Sequence, residues 1–307
     1  YLKLIKQKKI QNNNFSEIAK LYDRLSSVQT NPEESNESYM NAAFYYKKAA
    51  NKNHLDSMYR YAQMIEEGNI KDEPKEKAIK LYKKAAEKGH AGSLFKCAQM
   101  IEQDKNSTRY DLERANELYK KSALLNHPDA MFKYAQILED ICMLNSDRQK
   151  AIDLYQKAAY LNHPASMFRY AQILEDGVFV VQNRTKAVEL YVKSANMNFP
   201  EAMYKYAKML EDGFCVVCDK LKALEFYQKA SELNHVESTF RLAQLVEEGK
   251  ITVKNNLLAL QLYKKAADSN KLDYIKHYAK LLRDGSLAPA NLVEANKYDK
   301  IALELSN

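Results

Sequence analysis

A tyrosine returns along this chain at a nearly constant interval, and that interval constrains the fold more than any other feature. It stands at Tyr46, Tyr82, Tyr119, Tyr155, Tyr191, Tyr227, Tyr263 and Tyr298, in segments such as LYKKAA, LYQKAA and FYQKAS, with steps of 36, 37, 36, 36, 36, 36 and 35 residues. A second string keeps the same phase, as in SMYRYAQMIEEG, SLFKCAQMIEQD and SMFRYAQILEDG. It carries a small residue at Ala62, Ala98, Ala135, Ala171, Ala207, Ala243 and Ala279. A period of this size marks supersecondary units that bury their apolar faces only by stacking. At 307 residues the chain exceeds what one compact core accommodates, and the period makes it an array.

Two helices per unit are expected. Met167, Tyr170, Ala171 and Leu174 follow i, i+3, i+4, i+7 and form one apolar stripe in the first helix, while Ala187, Tyr191 and Ala195 follow i, i+4, i+8 in the second. With only 7 Gly and 6 Pro, the composition agrees. Gly68, Gly177, Gly213, Gly249 and Gly285 are expected to end first helices, with Asp104 and Ile141 breaking the rule. Asp111, Asp147, Asn183, Asp219, Asn255 and Asn291 are read as N-caps of second helices, and Pro74 as a first-turn residue.

The expected fold is all-α: a right-handed α/α superhelix, or solenoid, of about eight antiparallel helix pairs. The domain plan is a truncated capping helix over 1–14, a first irregular repeat over 15–53 with a connection lengthened through TNPEESNES, regular repeats over 54–290, and a closing helix over 291–307. Tyr1 falls inside a helical pattern, which reads as a piece of something longer.

The second-helix segments EKAIKLYKKAAEKGH and DKLKALEFYQKASELNH, with the first-helix segment HPASMFRYAQILEDG, resemble the Sel-one-like repeat, a relative of the tetratricopeptide repeat. The resemblance covers Phe15 to Leu305. It departs where the family's Leu-Gly is Tyr170-Ala171 and where Leu replaces the Trp beside the anchor tyrosine. It implies an adaptor that holds other proteins together in signalling and quality-control complexes, with the first helices on a concave surface.

On that implied surface three rows keep the repeat register. The aromatic row is Tyr59, Phe95, Phe132, Phe168, Tyr204 and Phe240. An amide row follows at Gln63, Gln99, Gln136, Gln172 and Gln244, with Lys208 in one repeat. The acidic row is Glu66, Glu102, Glu139, Glu175, Glu211 and Glu247, with Arg283 at its end. Rings, amides and carboxylates on one helix face suit an extended peptide, and a basic segment would match the acids. The rings equally suit packing between repeats, with the amides and acids as solvated surface. A pentatricopeptide-like RNA-binding array is the alternative reading, through Arg60, Lys96, Lys133, Arg169, Lys205 and Arg241. The neighbouring acids and the near-identity of the units oppose it, so no nucleic acid is expected.

Nothing singular enough for catalysis, a cofactor or a metal stands out. His54, His90, His127, His163 and His235 recur in one phase at the end of the second helix and form a ladder. Cys215 and Cys218 are a lone C-x-x-C pair in a loop. Carboxylate pairs such as Glu175-Asp176 repeat instead of creating one special environment. Phosphate loops and HExxH helices are absent from the sequence, and the periodic cysteine pairs of hydrolase-linked family members are missing. The four cysteines, Cys97, Cys142, Cys215 and Cys218, have no stapling pattern, which favours a reducing, cytoplasmic setting. The sequons at Asn14, Asn36, Asn106 and Asn183 read as chance matches in an Asn-rich chain. A net charge of +7 is diluted over 47 basic and 40 acidic side chains, and no run is apolar enough to span a bilayer.

Overall fold

The apolar stripes and capping residues produce helices and short connections only. The computed structural model describes residues 1–10, 14–70, 72–141 and 145–306, and every regular element among them is helical. Two compact units are present, Tyr1–Leu154 and Tyr155–Asn307, with the division falling inside one helix. The first unit contains α1 (Leu2–Ile10), α2 (Phe15–Val28), α3 (Pro32–Asn51), α4 (Leu55–Glu66), α5 (Lys75–Glu87), α6 (Ala91–Gln103), α7 (Arg109–Leu124), α8 (Pro128–Ile141) and the start of α9 (Asn145–Tyr160). The second contains the rest of α9, then α10 (Pro164–Asp176), α11 (Arg184–Asn196), α12 (Pro200–Asp212), α13 (Lys220–Glu232), α14 (Val236–Glu248), α15 (Asn256–Ala267), α16 (Leu272–Asp284) and α17 (Leu292–Glu304). Helices α2 to α17 make eight consecutive pairs, a solenoid-like array with a repeat of about 36 residues.

Helix starts follow side-chain chemistry. Asn183, Asp219, Asn255 and Asn291 cap α11, α13, α15 and α17, each accepting a backbone N–H three residues on at 2.9–3.1 Å. Two expected caps shift. Thr108 caps α7, and Asp111 closes a reciprocal capping box on it. Asp147 lies within the first turn of α9, which begins at Asn145. Pro74 is itself the cap residue of α5 and offers no side-chain bond. The lengthened connection before the regular repeats is mostly helix. Asn31 caps α3, Pro32 sets its first turn, and Glu33 and Glu34 favour that positive end.

Helix ends require left-handed backbone. Gly177, Gly213, Gly249 and Gly285 terminate first helices at φ of 66–69°. Second helices end on Asn53, Asn126, Asn162, Asn198, Asn234 or Asn270 at φ of 60–62° or, for Asn234, 63°, with Gly89 in that place once.

Each unit has its own core. In the first, Ala42, Tyr46, Tyr61, Ala62, Ile65 and Tyr82 pack together. In the second, Met203, Ala207, Tyr227, Ala243, Tyr263 and Ala279 belong to one continuous cluster. The anchor tyrosines from Tyr82 to Tyr263 are at most 1% exposed. Burying a ring of that size contributes about 1.5–3 kcal/mol, provided its hydroxyl finds a partner. No helix among the described residues is long and apolar enough to cross a membrane.

Candidate functional site

The partner of each buried tyrosine hydroxyl comes from the acidic row. Tyr82 donates to Glu66, Tyr119 to Glu102, Tyr191 to Glu175, Tyr227 to Glu211 and Tyr263 to Glu247, at 2.6–2.9 Å. Each bond ties a second helix to the end of the first helix before it. The other side of the carboxylate takes a cation from the next first helix: Lys96 on Glu66 at 3.2 Å, Lys133 on Glu102 at 2.8 Å, Lys205 on Glu175 at 2.9 Å, and Arg241 on Glu211. The two ionic rows therefore interlock from one repeat to the next. In the first pair the same duty falls to Asp23, which accepts from Tyr46 at 3.2 Å and from Arg60 at 2.9 and 3.0 Å. Glu139 is half-buried and also engaged.

The protonation states follow. Burial, and then donation to a carboxylate, hold the Tyr82, Tyr119, Tyr191 and Tyr263 hydroxyls well above the ordinary phenol range. Burial pushes Glu102, Glu175 and Glu211 up, but the cation and the tyrosine on each outweigh it and leave the carboxyl below its usual value. The carboxylates are ionised and neutralised in place.

The aromatic row is half-buried throughout. Tyr59, Phe95, Phe168, Tyr204 and Phe240 pack on the anchor tyrosine of their own pair at centroid distances of 5.2–5.8 Å. Their other neighbours are residues of the next repeat: His90, His127, Phe199, His235 and Tyr274. Phe132 is half-buried in the same row. The rings thus pack between repeats while keeping a partly open edge. In the amide row Gln63 donates to the Tyr59 hydroxyl at 3.1 Å, and Gln172 and Gln244 accept from Arg169 and Arg241 at 3.3 and 3.0 Å. Gln99 and Gln136 are half-buried with no hydrogen-bond partner among the described residues, and Lys208 is exposed.

The histidines begin first helices instead of ending second ones. The Nδ1 atoms of His54, His90, His163 and His235 accept the backbone N–H of Ser57, Ser93, Ser166 and Ser238 at 3.1–3.3 Å, and His127 accepts from Ala130 at 3.4 Å. The visible signal was Asn/Gly-His-x-x-Ser, an αL residue followed by a ring able to imitate Asn as a cap. Cys97 is buried, and Cys215 and Cys218 are exposed free thiols. Cys142 lies outside the described residues.

With this geometry in view, comparison with known proteins gives a family. The profile of the Sel1 repeat matches seven consecutive segments, residues 34–54, 55–90, 91–127, 128–163, 164–199, 200–235 and 236–271. No curated protein matches the chain as a relative. Among solved structures, a Sel1 repeat protein from Oxalobacter formigenes is 19% identical with a TM-score of 0.66, over 82% of this chain and 97% of its own. A protective antigen of uropathogenic Escherichia coli with the same kind of repeat is also 19% identical, with a TM-score of 0.57 over 99% of this chain and 79% of its own. Those likenesses concern the fold, and the seven matched segments span well over half of the sequence: the chain belongs to the Sel1 repeat family.

Proposed function

We propose that this protein is a non-enzymatic interaction scaffold, in which the first-helix face of each unit receives an extended segment of a protein partner. Sel1 repeat proteins are generally protein-interaction scaffolds. The observation that carries the reading here is the register. The same half-buried ring returns in six consecutive first helices, five of them with an amide one turn on, and the Tyr–Glu–Lys/Arg bonds tie neighbouring first helices together. A rigid row of this kind suits a partner whose own groups recur along an extended backbone. The amides of Gln99 and Gln136 are available to a peptide backbone, and Gln63, Gln172 and Gln244 retain unused amide groups. The rings Tyr59, Phe95, Phe132, Phe168, Tyr204 and Phe240 contribute their open edges. Glu66, Glu102, Glu139, Glu175, Glu211 and Glu247 act chiefly by positioning them.

Because Glu66, Glu102, Glu175 and Glu211 each carry a cation, most of the acidic row exerts little net negative field, and the electrostatic reason for a basic partner weakens. The same pairing works against RNA recognition, since Arg60, Lys96, Lys133, Lys205 and Arg241 are already on carboxylates and Arg169 donates to Gln172. The three free thiols among the described residues suit a reducing, cytoplasmic setting.

The test is a nuclease-treated pull-down comparing the intact chain with a variant carrying alanine at Gln63, Gln99, Gln136, Gln172 and Gln244, after a thermal melt shows that the variant folds. Loss of specific proteins from the variant supports the first-helix face. Equal retention moves the contacts elsewhere, and a partnerless chain defeats the scaffold reading.

A further inference from the structure

The loop from α12 to α13 carries two exposed thiols, Cys215 and Cys218, that the ladder rows leave unused. Both ends of this loop are fixed on neighbouring carbonyls. The N–H of Phe214 donates to the Met209 carbonyl at 3.0 Å, and the N–H of Asp219 donates to the Leu210 carbonyl at 2.9 Å. The chain therefore leaves and returns at consecutive residues of α12, whose α-carbons are about 3.8 Å apart. Each cysteine stands one residue inside an anchored end, and Val216 and Val217 form the tip. A Cβ on Gly213 would stand 3.3 Å from that of Cys218, so the returning segment lies against the departing one.

Sibling loops keep this frame without cysteine. Asn183, Asn255 and Asn291 donate to Leu174, Val246 and Leu282 as Asp219 does to Leu210, at 2.8–3.3 Å. After α14 and α16 the second residue past the glycine, Ile251 or Leu287, packs on the core; here that place is Cys215, and Val216 packs instead. The backbone makes the exchange. Cys215 has φ of 59°, and every other non-glycine residue with positive φ among the described residues is asparagine. Cys215 is left exposed, with no hydrogen-bond partner among the described residues, while the Cys218 thiol donates to the Glu211 carbonyl at 3.5 Å. No third His, Cys, Asp or Glu joins the pair in a metal-binding group among the described residues, which is short of the four ligands a structural zinc needs.

We propose that Cys215 and Cys218 form a reversible dithiol–disulfide site, oxidised by low-molecular-weight disulfides such as glutathione disulfide. One cysteine thiolate attacks a sulfur of the small disulfide, forms a mixed disulfide and releases one small thiolate. The other cysteine thiolate then attacks the protein sulfur of that mixed disulfide, releases the second small thiolate and closes the Cys215–Cys218 bond. The net change oxidises two protein thiols to one disulfide, with loss of two electrons and two protons, and reduces one small disulfide to two thiols. Ring closure is favoured because the loop already holds both thiols across one short turn, so little further chain entropy is lost. The site lies outside the ladder rows and stands whether or not the scaffold reading does.

The test equilibrates the folded full chain in buffers of graded reduced-to-oxidised glutathione ratio, traps free thiols with N-ethylmaleimide and digests with trypsin. Cleavage after Lys208 and Lys220 releases a peptide whose only cysteines are Cys215 and Cys218. Mass spectrometry then separates its dithiol, mixed-disulfide and internal-disulfide forms, and the same peptide free in solution is the reference. The folded chain is expected to reach half oxidation under conditions about tenfold more reducing than the free peptide, with dithiothreitol restoring both thiols. Cys215→Ser and Cys218→Ser should each stop at one bound glutathione, and the sibling loops show that the frame needs neither sulfur. No internal disulfide in the folded chain, a midpoint no more reducing than that of the free peptide, or a stable adduct of two glutathiones would each overturn the proposal.

Discussion

The hydroxyl of Tyr191 donates to Glu175 at 2.7 Å, and Lys205, from the next first helix, reaches the same carboxylate at 2.9 Å. Three helices are thereby fixed through one side chain. Tyr191→Phe keeps the buried ring and removes only the hydroxyl, so the expected cost is about 1–2 kcal/mol for a lost bond to a charged acceptor. Lys205→Met, whose nitrogen is more exposed, should cost under about 1 kcal/mol. Because both partners share Glu175, the double variant should depart from additivity. Urea denaturation of the four proteins measures this, and strict additivity would show that the bonds are independent.

The histidine caps make acid destabilising. His90 and His235 accept a backbone N–H through Nδ1, which requires the neutral ring, and burial holds both below the ordinary histidine value. Asp56 beside His90, and Glu237 and Glu201 near His235, oppose this without reversing it. A group whose folded value is depressed takes up its proton in the unfolded chain first. The stability from these caps is therefore complete above about pH 6.5 and is lost as pH falls from there through the folded value. His235→Asn keeps a cap without a titrating ring. Urea midpoints between pH 7.5 and 5 should fall less steeply for that variant than for the intact chain, and parallel curves would refute the assignment.

Much of the fold was readable because it depends on spacing that repeats. Met167, Tyr170, Ala171 and Leu174 are buried as their period requires, and Asn183, Asp219, Asn255 and Asn291 cap as their chemistry requires. Asp111 misled because Thr108 and Asp111 are both good capping residues, and the box they form puts the helix start three residues earlier. The histidine caps were hidden by assigning the rings to the preceding helix. The αL turn at Asn53, Asn162 or Asn234 cuts the chain just before them. At the candidate site, the acidic and basic rows were both visible, but the link from Glu66 to Lys96 or Glu211 to Arg241 crosses thirty residues, and only stacked helices bring such positions together.

Glycine at the end of first and second helices should differ in tolerance. At Gly177, φ is +66° and a Cβ would stand 2.6 Å from that of Gln182, so Gly177→Ala meets both backbone strain and a clash and should cost about 2–3 kcal/mol. At Gly89, φ is +81° and a Cβ would meet nothing within 4 Å, so Gly89→Ala should cost about 1 kcal/mol from backbone strain alone. Gly89→Asn copies the residue used at the other second-helix ends and should stay within about 0.5 kcal/mol of the parent. Thermal melts rank the three, and an Asn variant as weak as Gly177→Ala would contradict the role assigned to that turn.

Interlocked charge should also govern affinity for polyanions. Lys96, Lys133, Lys205 and Arg241 each face a carboxylate, so the intact chain should bind single-stranded RNA weakly even at low salt. Replacing Glu66, Glu102, Glu175 and Glu211 by Gln removes four negative charges while leaving an oxygen for each tyrosine hydroxyl. Four released cations would then be open to phosphates, and RNA affinity should rise with a limiting log–log salt slope of about −3. Fluorescence anisotropy across a salt series reads both quantities. A four-Gln variant that melts like the parent yet gains no salt-dependent RNA affinity would show that pairing with the carboxylates is not what restrains these cations. Strong, steeply salt-dependent binding by the unmodified chain would instead favour the nucleic-acid reading over the scaffold.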